Sequence, residues 1–360
     1  MTAATTPRLR RLAGKLTSPL LPEDYLGLVN PLWATSELRG RVESVHWETP
    51  GAATLEIRPG GAWAGHRPGQ WVRIGIDING VRHWRSYSIS SAPFSATGGD
   101  RIAITVKAAG LVSEHLVRRV RSGTIIRLDQ AAGEFVLPPE PPERVLFLTA
   151  GSGITPVMSM LRALARSAET VSGRLSGGAP APFPDTVLVH SAPTRRDVIF
   201  GAELRRLAAR TPNFRLHEQH TRTAGRLGPQ ELARLVPDLA QRSTWACGPT
   251  AMLDALSLDD LHVEHFRPPV PAATGDGGLV RFTTSAVDVR ADGATPLLVA
   301  GEEAGALLPS GCRMGICFSC VGRLTAGRVR DLRTGEVHGE EGDIIQTCVS
   351  AAAGPCSIEL

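Results

Sequence analysis

A chain of 360 residues exceeds one ordinary core and predicts two or three domains at roughly 150 residues each. Its 42% hydrophobic and 21% charged residues describe a soluble globular protein and exclude disordered and fibrous classes. Net charge is +4, yet residues 279–360 hold 7 basic and 10 acidic side chains, so a mildly acidic tail follows a basic body. Arginine supplies nearly all the positive charge, only Lys15 and Lys107 being lysines, and no basic cluster is interleaved with aromatics. A nucleic-acid partner is therefore not expected.

Residues 1–38 read as an arm, with Arg8, Arg10, Arg11 and Lys15 on a short basic amphipathic stretch, followed by Pro19, Pro22 and Pro31. Such an arm can touch a membrane surface or a partner, or pack on its own domain. No apolar stretch of signal-peptide length follows the basic residues, and Gly151, Gly153 and Pro156 break the longest apolar run. The expected location is cytoplasmic, with peripheral contact at the inner face of the membrane open to the arm.

Residues 39–140 alternate short β-branched strands with turn signals: Arg41–His46, Thr54–Arg58, Gln70–Ile76, Arg82–Ser90, Arg101–Lys107 and Thr124–Gln130, with one helical piece at Ser113–Val120. Six such strands predict a small antiparallel β-barrel. The strand end Arg85-Ser-Tyr-Ser88 joins a planar cation suited to phosphate, a ring that can stack on a flat cofactor and a hydroxyl that can bond a ring nitrogen.

From 141 to 266 the pattern changes to alternating strands and helices, an α/β parallel-sheet layout. Val145–Thr149 is a continuous apolar run fit for a buried strand, and Val157, Met160, Leu161 and Leu164 recur at helical spacing. Between them lies Thr149-Ala-Gly-Ser-Gly-Ile-Thr-Pro156. Gly151 and Gly153 allow a tight turn, Thr155 can cap and Pro156 suits the first helical position, so free N–H groups face a pyrophosphate. Ser167–Pro184 reads as a long surface loop, and residues 267–278 as a linker. His217 with His220, and His262 with His265, lie three apart on expected strands and point to opposite faces, which argues against a shared metal.

Residues 279–360 form the last module and hold five of the six cysteines, an asymmetry that excludes a disulfide framework stapling the whole chain. Cys312-x4-Cys317-x2-Cys320, with Cys348 after 27 intervening residues, is the spacing that holds a plant-type [2Fe–2S] cluster. Structural zinc, the other use of four thiolates, usually shows two close pairs where this chain has one. Four ligands complete such a site, which leaves Cys356 as a buried bystander.

These signals, in this order, resemble the ferredoxin–NADP reductase superfamily fused to a C-terminal plant-type ferredoxin domain. The resemblance implies a multidomain fold: an antiparallel β-barrel for FAD (FMN in some relatives), an α/β parallel-sheet domain for NADPH or NADH, and an α+β β-grasp ferredoxin domain. It implies that Arg85 contacts the flavin pyrophosphate, Tyr87 stacks on the isoalloxazine and Ser88 lies near its N5. His66-Arg-Pro-Gly-Gln70 is similar to a family turn with histidine in place of an aromatic. Lys107 and Gly110-Leu-Val-Ser113 match a second flavin-phosphate segment, in which Ser113 opens the helix. Gly151, Gly153 and Thr155 match the nucleotide loop. Cys247-Gly248-Pro249 and Glu264-x-Phe266 match the segments nearest the nicotinamide and flavin. Thr221-Arg222 matches a contact with the NADPH 2′-phosphate.

More narrowly, Pro31-Leu-Trp33, His83-Trp-Arg-Ser-Tyr-Ser88, Ser310-Gly-Cys-Arg-Met-Gly-Ile-Cys317 and Val329-Arg-Asp-Leu-Arg-Thr-Gly335 resemble the NADPH oxidoreductases that serve actinobacterial membrane stearoyl-CoA Δ9 desaturases. The implied activity is a relay from NAD(P)H through flavin and cluster to an acceptor. That acceptor is the membrane di-iron desaturase or, alternatively, a Rieske-type or other oxygenase. A redox sensor is the reading outside enzymes, and no DNA-binding segment supports it.

Overall fold

The computed structural model describes residues 27, 29–34, 37–93, 101–172, 183–266, 277–311, 313, 315 and 318–360. Most of the N-terminal arm, the 267–276 stretch of the linker and the expected ligands Cys312 and Cys317 lie outside the described residues. Within the arm, Pro31–Trp33 makes one 3₁₀ turn, capped by the Asn30 side chain accepting from the Leu32 N–H.

The first sheet contains β1 (Arg39–Thr49), β2 (Ala52–Pro59), β3 (Trp71–Ile78), β4 (Val81–Ser88), β5 (Ile102–Lys107) and β6 (Ile125–Leu128) in the order β4-β3-β6-β1-β2-β5. Its pairings are all antiparallel, and a bridge between Ile89 and Ile104 joins the two ends. Alternation explains the inside of this barrel: Val72, Ile74, Ile76 and Ile78 of β3 are buried on one face. Helix α1 (Leu111–Arg118) covers one end through Val112, Leu116 and Val117.

The second sheet is parallel throughout, with β7 (Arg144–Ala150), β8 (Asp185–Ala192), β9 (Phe214–His220), β10 (Ser243–Cys247) and β11 (Leu261–Glu264) in the order β11-β10-β7-β8-β9. Helices α2 (Ile154–Ser172), α3 (Gly201–Arg210), α4 (Thr221–Ala224), α5 (Pro229–Leu235) and α6 (Thr250–Leu253) connect it. Val145, Leu146, Phe147 and Leu148 are all buried because helices cover both faces. Strand order reverses between β7 and β10, and ligands of such sheets bind in the crevice beyond the carboxyl ends at that reversal.

Two elements differ from expectation. Helix α2 runs to Ser172, so the first third of the expected 167–184 loop is helical: the Ser167 hydroxyl donates to the Ala163 carbonyl 3.1 Å away, keeping serine compatible with the helix. Residues 173–182 of that loop lie outside the described residues, and Phe183, near its end, is buried in the core. The sequence pattern predicts a helix over Thr250–Leu256, but α6 stops at Leu253, the chain leaving through a turn closed by Leu256 N–H on the Leu253 carbonyl.

The third sheet holds β12 (Gly278–Phe282), β13 (Val287–Ala291), β14 (Val321–Asp331), β15 (Val337–His338), β16 (Ile344–Gln346) and β17 (Ser350–Glu359). Its order is β13-β12-β17-β14-β15 with β16 also on β14; β12 and β17 are parallel and the others antiparallel. Helix α7 (Leu297–Glu303) buries Leu297, Leu298 and Ala300 against the core this sheet shares with Phe282 and Ile358.

One charge cluster anchors the amino-terminal edge of the parallel sheet. The Arg242 side chain is fully buried, and its fork donates to Asp238 at 2.9 and 2.7 Å, to Asp185 Oδ2 at 2.7 Å and to the Asp185 carbonyl at 2.8 Å. Truncation removes the buried cation the two carboxylates share, leaving them only the exposed Arg215 at 3.2 Å and Arg144 at 3.8 Å. Arg242→Ala is expected to destabilise the protein by about 3 kcal/mol, read from a lower urea midpoint; a midpoint within error of the parent contradicts this role.

Candidate active site

The crevice at the reversal is built from two chain turns that meet. After β7, Gly151–Gly153 forms a 3₁₀ turn that runs into α2 at Ile154. Pro156 is therefore third in the helix, not first, still within the turn whose N–H groups lack internal partners. Thr155 Oγ1 donates to the Ser152 carbonyl at 2.9 Å, tightening the turn instead of capping an N–H as expected. A Cβ on Gly153 would lie 2.0 Å from the Cys247 carbonyl oxygen, so only glycine lets the loop pass the end of β10. Gly248 is less confined: a Cβ there would sit 2.6 Å from the flexible end of Met252 and 3.3 Å from the Ala150 Cβ. The structure thus joins the expected loop Gly151, Gly153 and Thr155 to the Cys247-Gly248-Pro249 segment. The positive end of a 19-residue helix faces the crevice.

Lys107, at the end of β5, reaches the same place: its Nζ is 3.9 Å from where a Cβ on Gly151 would be. The resemblance assigned it to flavin phosphate; the structure sets its charge beside the nucleotide loop. Gly110 takes φ +153° and precedes α1, which opens at Leu111. Ser113 consequently lies inside the first turn and does not open the helix. Its hydroxyl reaches back, accepting from Ala109 N–H at 2.9 Å and donating to the Gly110 carbonyl at 3.0 Å, which ties the helix start to the preceding residue while Gly110 leaves the helix without a side-chain cap.

Cys247 and Glu264 are register partners on β10 and β11. Burial first, and then the nearby Glu264 charge, pushes the Cys247 thiol well up, so it is a neutral thiol at physiological pH. Burial raises the Glu264 carboxyl to about 7. A cleft of about 480 Å³ has Glu264 and His262–His265 on one wall and Trp71, Gly133 and Phe135 of the barrel on the other. Ser88, buried, is the cross-strand partner of Trp71 and shares its face.

Between the ordinary carboxyl value of 4.5 and about 7, folded Glu264 keeps a proton that the unfolded chain releases. Stability is therefore lost as pH rises through that window. Thermal midpoints of Glu264→Gln and the parent should agree below pH 4.5 and separate in the variant's favour above pH 7; a pH-independent difference contradicts the burial of this carboxyl.

On β4, burial pushes the Tyr87 phenol upward. Burial, and next the neighbouring Arg313 charge, pulls the Arg85 guanidinium down to about 10. Arg85 Nη1 donates to the Trp84 carbonyl at 2.7 Å and to Ser310 Oγ at 3.2 Å. Ser310 belongs to the third module, so the strand end carrying Arg85 and Tyr87 abuts the cysteine loop. Arg222, in α4, places its N–H on the Pro193 carbonyl at 3.1 Å, which joins the loops after β8 and β9 near Arg195 and Arg196.

In the cysteine loop, Cys320 immediately precedes β14 and Cys348 lies between β16 and β17; both are buried. Hydrogen bonding from the Cys348 side chain is the leading cause that holds the Cys320 thiol down to about 6. Two thiols 28 positions apart in sequence are in contact, one of them inclined to be thiolate, which fits a soft-metal thiolate site. Arg313 and Phe318 take positive φ, as does Gly315, whose carbonyl accepts from Gln346 Nε2 at 2.9 Å. Arg313 is ion-paired with Glu302. Cys356 sits in the β12/β14/β17 core with its thiol raised to about 11 by burial, as a bystander would.

The bonds that join barrel to third module, Arg73 to Ser319 and Arg85 to Ser310, carry no spacing signal in the sequence. They span 246 and 225 positions.

Three family models match in chain order: an oxidoreductase FAD-binding domain over residues 54–137, an oxidoreductase NAD-binding domain over 147–257 and a 2Fe-2S iron-sulfur cluster binding domain over 282–353. An NADPH oxidoreductase of Mycobacterium tuberculosis is 48% identical over 363 residues, covering 98% of this chain and 92% of that protein. A glycine betaine monooxygenase reductase subunit of Pseudomonas aeruginosa is 30% identical, covering 78% of this chain and 84% of that one. Phthalate dioxygenase reductase shares the fold at TM-score 0.56 and 20% identity, over 89% of this chain and 97% of its own. The three modules, their order and these relatives agree: the chain belongs to the ferredoxin–NADP reductase superfamily, as a flavin- and [2Fe–2S]-containing NAD(P)H-dependent electron-transfer reductase.

Proposed function

We propose that this reductase takes electrons from NADPH and delivers them to a membrane-bound di-iron acyl-CoA desaturase. The observation that carries the relay order is the bond from Arg85 to Ser310, which sets the flavin-binding strand against the loop of the cluster cysteines. FAD and the cluster together supply the conversion of a two-electron hydride donor into a one-electron donor. The chain's own residues do the rest. Arg85, with the Lys107 and Gly110–Ser113 segment, holds phosphate; Tyr87 offers a ring for stacking; Gly151, Gly153 and Thr155 shape the anion-binding turn. Glu264 lines the cleft between barrel and parallel sheet, with Cys247 its register partner and Ser88 the cross-strand partner of the lining Trp71; nicotinamide and flavin meet there, and the neutral Cys247 thiol and largely protonated Glu264 bring no fixed negative charge against hydride transfer at mildly acidic pH. Cys312, Cys317, Cys320 and Cys348 hold the cluster.

Thr221 and Arg222 supply a hydroxyl and a cation for a 2′-phosphate, and the Mycobacterium tuberculosis relative favours NADPH as donor. The desaturase reading rests on the sequence segments around Trp33, Trp84, Cys312 and Arg330. A soluble oxygenase is the second reading, favoured by the glycine betaine monooxygenase reductase relative. No helix among the described residues is long and apolar enough to cross a membrane.

Membranes containing the desaturase, given NADPH and an acyl-CoA, should form unsaturated product only when this protein is added. NADH should support it at a lower kcat/KM. Absence of stimulation, alongside normal cytochrome c reduction, would overturn the desaturase assignment and leave the oxygenase reading.

A further inference from the structure

One barrel side chain makes three contacts whose common effect is to hold the cysteine loop. Arg73, on β3, is ion-paired with Asp129, just past β6, whose N–H also bonds the Arg73 carbonyl at 3.0 Å. Its guanidinium lies 5.0 Å from the centre of the Trp84 ring. From that fixed position Nη1 donates to Ser319 Oγ at 2.8 Å. Trp84 itself is seated by Gly75, where a Cβ would meet the indole at 2.9 Å. The donor is thus set from two sides by the barrel before the cluster module arrives, and little entropy is lost in making the third contact.

Ser319 stands two residues after Cys317 and one before Cys320. Seating it fixes the residue directly before the cluster ligand Cys320, just ahead of β14. Among the described residues, the other side-chain bond across this seam runs from Arg85 to Ser310. It is a longer bond, and Arg85 faces the like charge of Arg313, partly offset by Glu302. The modules are joined through a linker rich in proline, alanine and glycine, a composition that permits more than one placement.

We propose that Arg73 is the positioning residue that seats the cluster loop on the flavin barrel through Ser319, and that the rate of electron passage from flavin to cluster depends on this seat. The inference rests on the relay order given above. Each NADPH oxidised to NADP+ yields two electrons and one proton; the electrons cross the seam singly, and two one-electron acceptors are reduced. A charge-assisted bond of this kind weights a docking equilibrium by roughly tenfold or more.

The test uses full-length holoprotein and the variants Ser319→Ala, Arg73→Ala and Arg73→Lys. Anaerobic rapid mixing with NADPH should bleach the flavin at the parent's rate in all of them, while cluster reduction slows roughly tenfold in Ser319→Ala and Arg73→Ala. Arg73→Lys should fall between, because an ammonium cannot span Asp129 and Ser319 with a planar fork. Hydrogen exchange of the oxidised holoprotein should rise at residues 318–322 in Ser319→Ala with no change in thermal midpoint. Ser319→Ala leaves the barrel intact, so a folding defect in Arg73→Ala does not decide the matter. Unchanged cluster reduction and unchanged exchange in Ser319→Ala would overturn the proposal. Failure of NADPH to reduce the parent's flavin would instead contradict the relay, and the exchange result would still judge the seat.

Discussion

Cys348→Ser is expected to abolish NADPH-driven reduction of cytochrome c while leaving reduction of ferricyanide, which can take electrons from flavin directly. The Cys348 thiol is buried and hydrogen-bonded to Cys320, which that contact helps hold down to about 6. A serine hydroxyl there is shorter and harder than a thiol and does not ionise at physiological pH, so the thiolate set is left one ligand short. Cys356→Ser provides the contrast. Cys356 is equally buried, but its thiol is raised to about 11 and it belongs to the core. Its replacement should lower stability by about 1–2 kcal/mol, the cost of burying a hydroxyl among apolar neighbours, and leave the ratio of the two reductase activities unchanged. The paired measurement is the cytochrome c to ferricyanide ratio in each variant; loss of both activities in Cys348→Ser would count against the relay order.

Gly153→Ala should reduce kcat/KM for NADPH by about 100-fold, the usual consequence of displacing reacting groups by roughly 1 Å. The added methyl would lie 2.0 Å from the Cys247 carbonyl oxygen, a backbone atom at the end of a buried strand that cannot swing aside. Either the nucleotide loop or the Cys247-Gly248-Pro249 turn must shift. Gly61→Ala, at a position with nothing within 4 Å of the added carbon, should be silent. Steady-state kinetics with ferricyanide separates the two; a Gly153→Ala enzyme with parental kcat/KM would mean that the two turns do not jointly form the nucleotide pocket.

The sequence was most informative where chemistry requires local patterns. The β-branched stretch Gln70–Ile76, the continuous apolar run of Val145–Thr149 and the helical spacing of Val157, Met160, Leu161 and Leu164 lead directly to barrel, parallel sheet and first connecting helix. The glycine turn and the cysteine spacing are likewise local. Capping was legible only in part. Thr155 reads as a cap and Ser113, by resemblance, as the opening of its helix, but which partner each hydroxyl takes depends on the φ of Gly110 and the 3₁₀ turn before α2. The seam between barrel and cluster module was not legible. Arg73 reads as an ordinary polar position on a strand, and nothing in its neighbourhood indicates a serine 246 positions later. Glu264 presents a related case: its identity was read, but its raised carboxyl follows from burial against the barrel, which is a tertiary fact.

The most direct test of the relay is an anaerobic rapid-scan experiment on holoprotein and on protein stripped of flavin but retaining its cluster. With NADPH, the flavin band of the holoprotein should bleach first and the cluster bands follow, while the cluster of the flavin-free protein should remain oxidised. Cluster reduction that precedes flavin bleaching, or that proceeds equally well without flavin, would contradict the account.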